Sequence, residues 1–374
     1  MSLASLLPSN ATPWERAMAD AMAMPQVLHN AIGTMRGFKH DHPSPSFLLP
    51  LIIEYGLTEL TPYIANQYTL VNEGPDWTRV RSSDGAVALG LGWLDLVAEI
   101  EKARPTRTYW NQITLLFSSL PGNDDPLLEQ IEGVTRLSMA MRSDLWRGVF
   151  AYDVRAAEAD GARLDNAMLD FSSGIRVKEG GAIWSFGRTW EADFLLSQAV
   201  GEALDLWIDE PVDENAGLTW ADADIPWGEA NFPWVSDAVA QRRLVMMSQL
   251  KRLTYLVGLF DEAGEAIGYR RVRAVHPVGV AVDGAYQFNG VSLAPSEAGD
   301  RLYVEALTAF DDADLMTAHH IALIAEADIA EGTLPGRMWL TPDLVSGGVE
   351  MARQAVEIPL RKTVREQLKF QVRV

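Results

Sequence analysis

Six histidines and fifty-one carboxylates are the chain's stock for metal binding and acid–base work. There is no cysteine, so thiolate ligands, thiol catalysis and disulfides are excluded. His40-Asp41-His42 brings ligand types close together, but in a Pro-rich stretch with no further ligand nearby. Zinc takes three or four protein ligands, so a solvated loop is the expected reading. His319-His320 with Glu326 is weaker, because neighbours on a strand face opposite sides and the spacing is not HExxH. Asp165 with Asp170, and Asp222 with Asp224, are the carboxylate pairs to weigh for glycoside hydrolysis. Such a pair must sit about 5–10 Å apart across a cleft, which sequence spacing does not fix. No GxSxG elbow, phosphate loop or dinucleotide fingerprint is present, and Gly90-Leu91-Gly92 lacks the third glycine. Arg270-Arg271-Val272-Arg273 reads as a charged strand face meeting acidic segments of a neighbour. The expectation is no catalytic residue, no metal and no cofactor.

The elements that would position these groups begin at Thr12-Pro13-Trp14-Glu15, a capping box with proline in the first turn. Trp14, Ala17, Met18, Ala21 and Met22 then share a helical face, ending at Pro25. Ser46 is the expected cap of a second apolar helix through Phe47, Leu48, Leu51, Ile52 and Tyr55. Ser83-Asp84 opens an apolar run with Leu89, Trp93, Leu96, Val97 and Ile100, read as one buried helix to Ala103. Its Gly90 and Gly92 suit close helix packing. Tyr109–Phe117 is strand-like, and Asp125-Pro126 opens a helix to about Arg142. Residues 147–190 read as short strands, with a hairpin turn at Glu179-Gly180-Gly181.

Three stretches resemble one known family. Residues 147–194 carry, in order, Tyr152-Asp153-Val154-Arg155, two Leu-Asp pairs, Ser173-Gly174-Ile175-Arg176-Val177 and Trp184-Ser185-Phe186-Gly187-Arg188. Leu6-Leu7-Pro8, Ala11-Thr12 and Glu15-Arg16-Ala17 open the chain in a similar pattern. Asp76-Trp77, Gly85-Ala86-Val87-Ala88 and Gly92-Trp93-Leu94 are the third match. Together they resemble the phage tail protein I family over roughly the first 200 residues. The resemblance implies a structural part of a contractile-tail baseplate, between the wedge and the receptor-binding fibres. Its implied partners are other wedge subunits, the tail hub and a tail fibre, and its implied place is the virion, after assembly in the host cytoplasm. Within the segment, Gly187 permits a turn and Arg188 is expected to make a bidentate pair with an acidic group such as Asp153 or Asp170, with Tyr152-Asp153 and Arg155 at the other end of the same network.

Residues 205–237 hold nine acidic residues, no Lys or Arg, and Trp207, Trp220, Trp227 and Trp234 among prolines. They form either an arm that anchors indoles on a partner or a loop wrapping its own domain. After Arg242 come Thr254–Phe260 and Ile267–Val275 around a Gly-containing turn, then strand-like runs at 278–282, 302–306, 321–325, 356–360 and 368–374. The expected fold is α+β: a helical N-terminal part, a mixed α/β middle with short strands and a C-terminal β-sandwich-like domain. The expected divisions are 1–204, an acidic Trp/Pro-rich linker or arm at 205–240, and 241–374. A formal charge of −20 disfavours nucleic acid. MSLASLLPSN has no basic, apolar signal pattern and no segment has transmembrane length, so no membrane insertion is expected. The alternative to a baseplate component is a tail-associated protein that binds or cleaves glycans, through Trp220, Trp227 or Trp234 in the binding case.

Overall fold

Thr12 opens the first helix, α1 (Pro13–Ala21). Its hydroxyl accepts from the Glu15 N–H at 3.3 Å, while the Glu15 carboxylate accepts from the Thr12 N–H at 2.7 Å. The computed structural model describes residues 7–22, 27–28, 30–32, 43–103, 109–156, 172–209, 238–311 and 316–374. They belong to two units, one drawn from residues up to 96 and 128–143, the other from 97–127 and 144–374.

The first unit is helical. After α1 come α2 (Pro45–Glu54), α3 (Gln67–Val80), α4 (Asp84–Gly92) and α5 (Leu127–Ser138). Leu51, Ile52, Leu60, Leu70, Trp77 and Val134 form its core. The Trp77 Nε1–H donates to Ser138 Oγ at 2.9 Å, which satisfies the one polar atom of a buried indole. Gly90 brings α4 against α5: a Cβ there would stand 2.4 Å from Val134 Cγ1. Two expectations change. The cap of α2 is Ser44, with Pro45 in the first turn. The apolar run after Asp84 is not one helix to Ala103. The helix stops at Gly92, Asp95 takes φ of +57°, and residues 98–102 form a strand. Gly92 is a poor interior helical residue, and the Glu99-Ile100-Glu101 alternation has the strand period.

The second unit carries a 14-stranded mixed sheet. Its strands are β1 (Ala98–Lys102), β2 (Gln112–Phe117), β3 (Asp144–Phe150), β4 (Ile175–Arg176), β5 (Ile183–Leu195), β6 (Tyr255–Phe260) and β7 (Ala266–Val280), followed by β8 (Tyr286–Phe288), β9 (Val291–Pro295), β10 (Arg301–Leu307), β11 (Thr317–Ile329), β12 (Trp339–Leu340), β13 (Val345–Pro359) and β14 (Val364–Arg373). The main order is β1-β2-β3-β5-β14-β10-β7-β6-β11-β13. The pairs β2–β3, β3–β5 and β5–β14 are parallel, and the others on this path are antiparallel. The Gly180 turn joins β4 to β5, and the 261–265 turn joins β6 to β7, as their turn residues require. Strand β7 changes neighbours along its length: residues up to 271 pair with β6, and those from 272 pair with β10. Both halves of the sheet bury one core, with Val257, Leu259, Val304, Leu323, Leu368 and Phe370. Helices α6 (Gln198–Ala203) and α7 (Ala238–Leu250) complete the unit. Met246, Met247 and Leu250 of α7 are buried in that core. The architecture is α+β with a large C-terminal β region.

Candidate functional site

The segment that carries the family resemblance becomes β3, β4 and β5, and its polar groups converge on two linked clusters. The first starts at Arg147, in the middle of β3 and fully buried. Next to it Gly148 lacks the Cβ that would lie 2.3 Å from the Trp184 ring, so the indole fills that space. Arg147 Nη1 donates to Asp153 Oδ1 at 2.8 Å, and Nη2 donates to the Ser173 carbonyl at 3.0 Å. The other carboxylate oxygen of Asp153 accepts from Arg155 Nε at 2.9 Å. Arg155 then reaches Glu101 on β1 with both terminal nitrogens, at 3.0 and 2.7 Å. Ser173 Oγ accepts from the Val154 N–H and bonds Ser185 Oγ at 2.8 Å. Partial burial pushes the Asp153 carboxyl up, but the hydrogen bonds and charges of Arg155 and Arg147 outweigh it and hold the group below the usual carboxylate range. The Glu101 and Asp153 carboxylates push the Arg155 guanidinium up against its own burial.

The second cluster centres on Arg188, whose acidic partner is Glu366. This arginine lies on β5 directly beside Glu366 of β14, its register partner. Arg188 Nε and Nη2 donate to the two oxygens of Glu366 at 2.9 and 2.5 Å, and Nη2 also donates to the Pro359 carbonyl. The Trp190 indole N–H adds a third donor at 2.8 Å. Glu366 is only 2% exposed, so this carboxylate depends on those donors. Tyr152, the neighbour of Asp153, accepts from Arg365 Nη1 through its hydroxyl at 2.5 Å. A parallel arrangement holds Arg361, whose guanidinium donates to Asp124 Oδ1 at 2.8 and 2.5 Å, while Thr363 donates to the same oxygen.

Trp207 is half-buried at the edge of the larger core. Gly201 gives its ring room, and the Arg242 guanidinium covers it at 4.6 Å while Arg242 Nε donates to the Ile208 carbonyl. Trp220, Trp227, Trp234 and Asp170 lie outside the described residues, as do His40, Asp41, His42, Asp165, Asp222 and Asp224. His320 points Nδ1 at the Asp261 carbonyl, 3.4 Å away. Glu326 accepts instead from the N–H and hydroxyl of Thr254. Among the described residues no three His, Asp or Glu side chains gather as a metal site. The arginines of 270–273 find partners within their own chain: Arg270 stacks on Trp339, Arg271 bonds the Arg337 carbonyl, and Arg273 meets Glu305 at 3.0 Å.

Sequence reading missed Glu101, Arg147, Glu366, Asp124 and Arg361. One signal was present. In β14 the positions Val364, Glu366, Leu368, Phe370 and Val372 alternate onto one face, and Glu366 is the single charge among apolar residues. In β5, Trp184, Phe186, Arg188, Trp190, Ala192 and Phe194 do the same around Arg188. Two lone opposite charges, each on an otherwise apolar strand face, mark a pair with a buried carboxylate. No helix among the described residues is long and apolar enough to cross a membrane. Compared with known proteins, the chain matches no protein-family model and no curated protein.

Proposed function

We propose that the chain is a structural component of a phage or phage-like tail baseplate, linking wedge subunits to the tail fibre or receptor-binding apparatus. The observation that supports this most is where the motif's polar groups go. Asp153, Arg155, Ser173, Ser185 and Arg188, which an enzyme would turn toward a substrate, are bonded to one another or to β1 and β14. Such a network fixes a scaffold, and a scaffold with many interfaces is what a mechanical part needs. Its partners would be other wedge subunits, the tail hub and a fibre, and its place would be the virion tail. The charge of −20 supports protein surfaces over nucleic acid as partners. Mass spectrometry of purified particles, with electron cryomicroscopy of the tail end, tests the reading. A fixed, symmetric copy number in the baseplate is the expected result. A chain absent from particles would end the proposal and turn attention to glycan binding or cleavage.

A further inference from the structure

The hairpin of β8 and β9 branches off the sheet's main path through β7. Its tip is Asn289-Gly290, the one Asn-Gly pair of the chain. Both tip residues have positive φ, +46° and +74°, which is the two-residue turn this dipeptide favours. Phe288 and Val291 pair across it. The tip is tied to two other strands. Glu191 of β5 accepts from the Asn289 N–H at 2.8 Å, and Lys369 of β14 donates to the Gln287 carbonyl at 2.8 Å. Glu191 and Lys369 are register partners, 3.5 Å apart. Phe288 and Leu293 of the hairpin are buried with Tyr303, and Tyr286 stacks on the Tyr303 ring at 4.5 Å. Asn289 itself is exposed, and a Cβ on Gly290 would meet nothing within 4 Å.

We propose that Asn289-Gly290 is a self-modifying site, where asparagine converts to aspartate or isoaspartate and the product frees the hairpin tip from Glu191. The step needs only water. The Gly290 backbone nitrogen attacks the Asn289 side-chain carbonyl carbon and gives up its proton, and the side-chain nitrogen leaves as ammonia. Water then opens the cyclic imide, at the side-chain carbonyl to give aspartate or at the backbone carbonyl to give isoaspartate. Glycine suits the attack because no side chain shields its nitrogen. The open space at Gly290 leaves room for the ring and for water. Isoaspartate adds a methylene to the backbone, so two residues no longer close Phe288 onto Val291. Aspartate adds a carboxylate to a tip that already faces Glu191. Glu191 also sets the pace. Ring closure requires the Gly290 nitrogen to swing out of the turn, and the bond from the Asn289 N–H to Glu191 holds the turn in place. The inference is independent of the assembly reading.

The test incubates the full folded chain for weeks at body temperature and follows each asparagine by peptide mass spectrometry. Asn289 is expected to convert first. Glu191→Ala should raise its rate by roughly fivefold or more, whereas Glu191→Gln keeps an acceptor for the Asn289 N–H and should stay near the wild-type rate. The modified fraction, separated by its added charge, should exchange its amides across residues 286–291 roughly tenfold faster or more than the unmodified one. The wild-type arms stand whether or not the variants fold. The proposal is overturned if Asn289 is intact after the incubation or if another asparagine converts first. A folded Glu191→Ala chain with an unchanged rate also overturns it, as does a modified fraction whose hairpin exchanges no faster.

Discussion

Arg188 and Glu366 sit 178 residues apart in sequence and side by side in the sheet. Glu366 is buried, so removing Arg188 strips a buried carboxylate of its cation, whereas removing Glu366 leaves Arg188 partly solvated and still bonded to the Pro359 carbonyl. Arg188→Ala should cost about 3–5 kcal/mol and Glu366→Ala less, read from urea unfolding. Replacing both by leucine should recover a large part of that loss, and a double variant no better than the singles would show that the pair is not the source. Asp153 gives a pH signature. Its folded carboxyl titrates below the ordinary value of about 3.9, so its contribution is complete above that pH and fades as pH falls through the folded value. The stability gap between wild type and Asp153→Asn should therefore be constant from pH 5 to 7 and shrink below about pH 4. A gap that widened on acidification would contradict this. At this scale Asp153, Arg155 and Arg188 are each hydrogen-bonded in the folded chain, and Asp170 lies outside the described residues. Asp153 and Arg155 are two positions apart and meet locally, whereas the partner of Arg188 is set by strand order, which no local pattern encodes.

Elements were legible where their signals are local. The Thr12–Glu15 box, the Gly180 turn and the β6–β7 hairpin all form from residues within a few positions of each other. The failure at residues 84–103 came from reading hydrophobicity without its period. Leu89, Trp93, Leu96 and Ile100 fit a helix, but the chain turns at Asp95 and Ile100 serves a strand. Two glycines of α4 make the packing testable. Gly90→Ala should destabilise by about 1–3 kcal/mol, because the new methyl meets Val134 against a side chain with little room to move. Gly92→Ala meets nothing within 4 Å. It should stabilise by about 0.5–1 kcal/mol through helix propensity alone. Thermal melts of the two variants should move in opposite directions, and a shared direction would refute the close approach of α4 and α5.

For the whole molecule, the deciding feature is where the last strand goes. β14 does not lie at a sheet margin. It is inserted between β5 and β10, parallel to the first and antiparallel to the second. During synthesis β5 and β10 are finished well before residues 364–373 exist, and each waits with a bare row of backbone donors and acceptors. The nascent sheet is thus held open along its middle until β14 arrives, and that closing step joins positions nearly 180 residues apart. A ribosome that stalls or terminates shortly before residue 364 releases a chain with two unpaired inner strands and an exposed apolar seam, which quality-control proteases and aggregation would remove. Chains stopped at residue 363 should sediment as aggregates, and adding residues 364–373 as a separate peptide during refolding should return part of the material to solution. The middle of the sheet is therefore a latch that stays unfastened until residues 364–373 have been made, however early the strands on either side of it were ready.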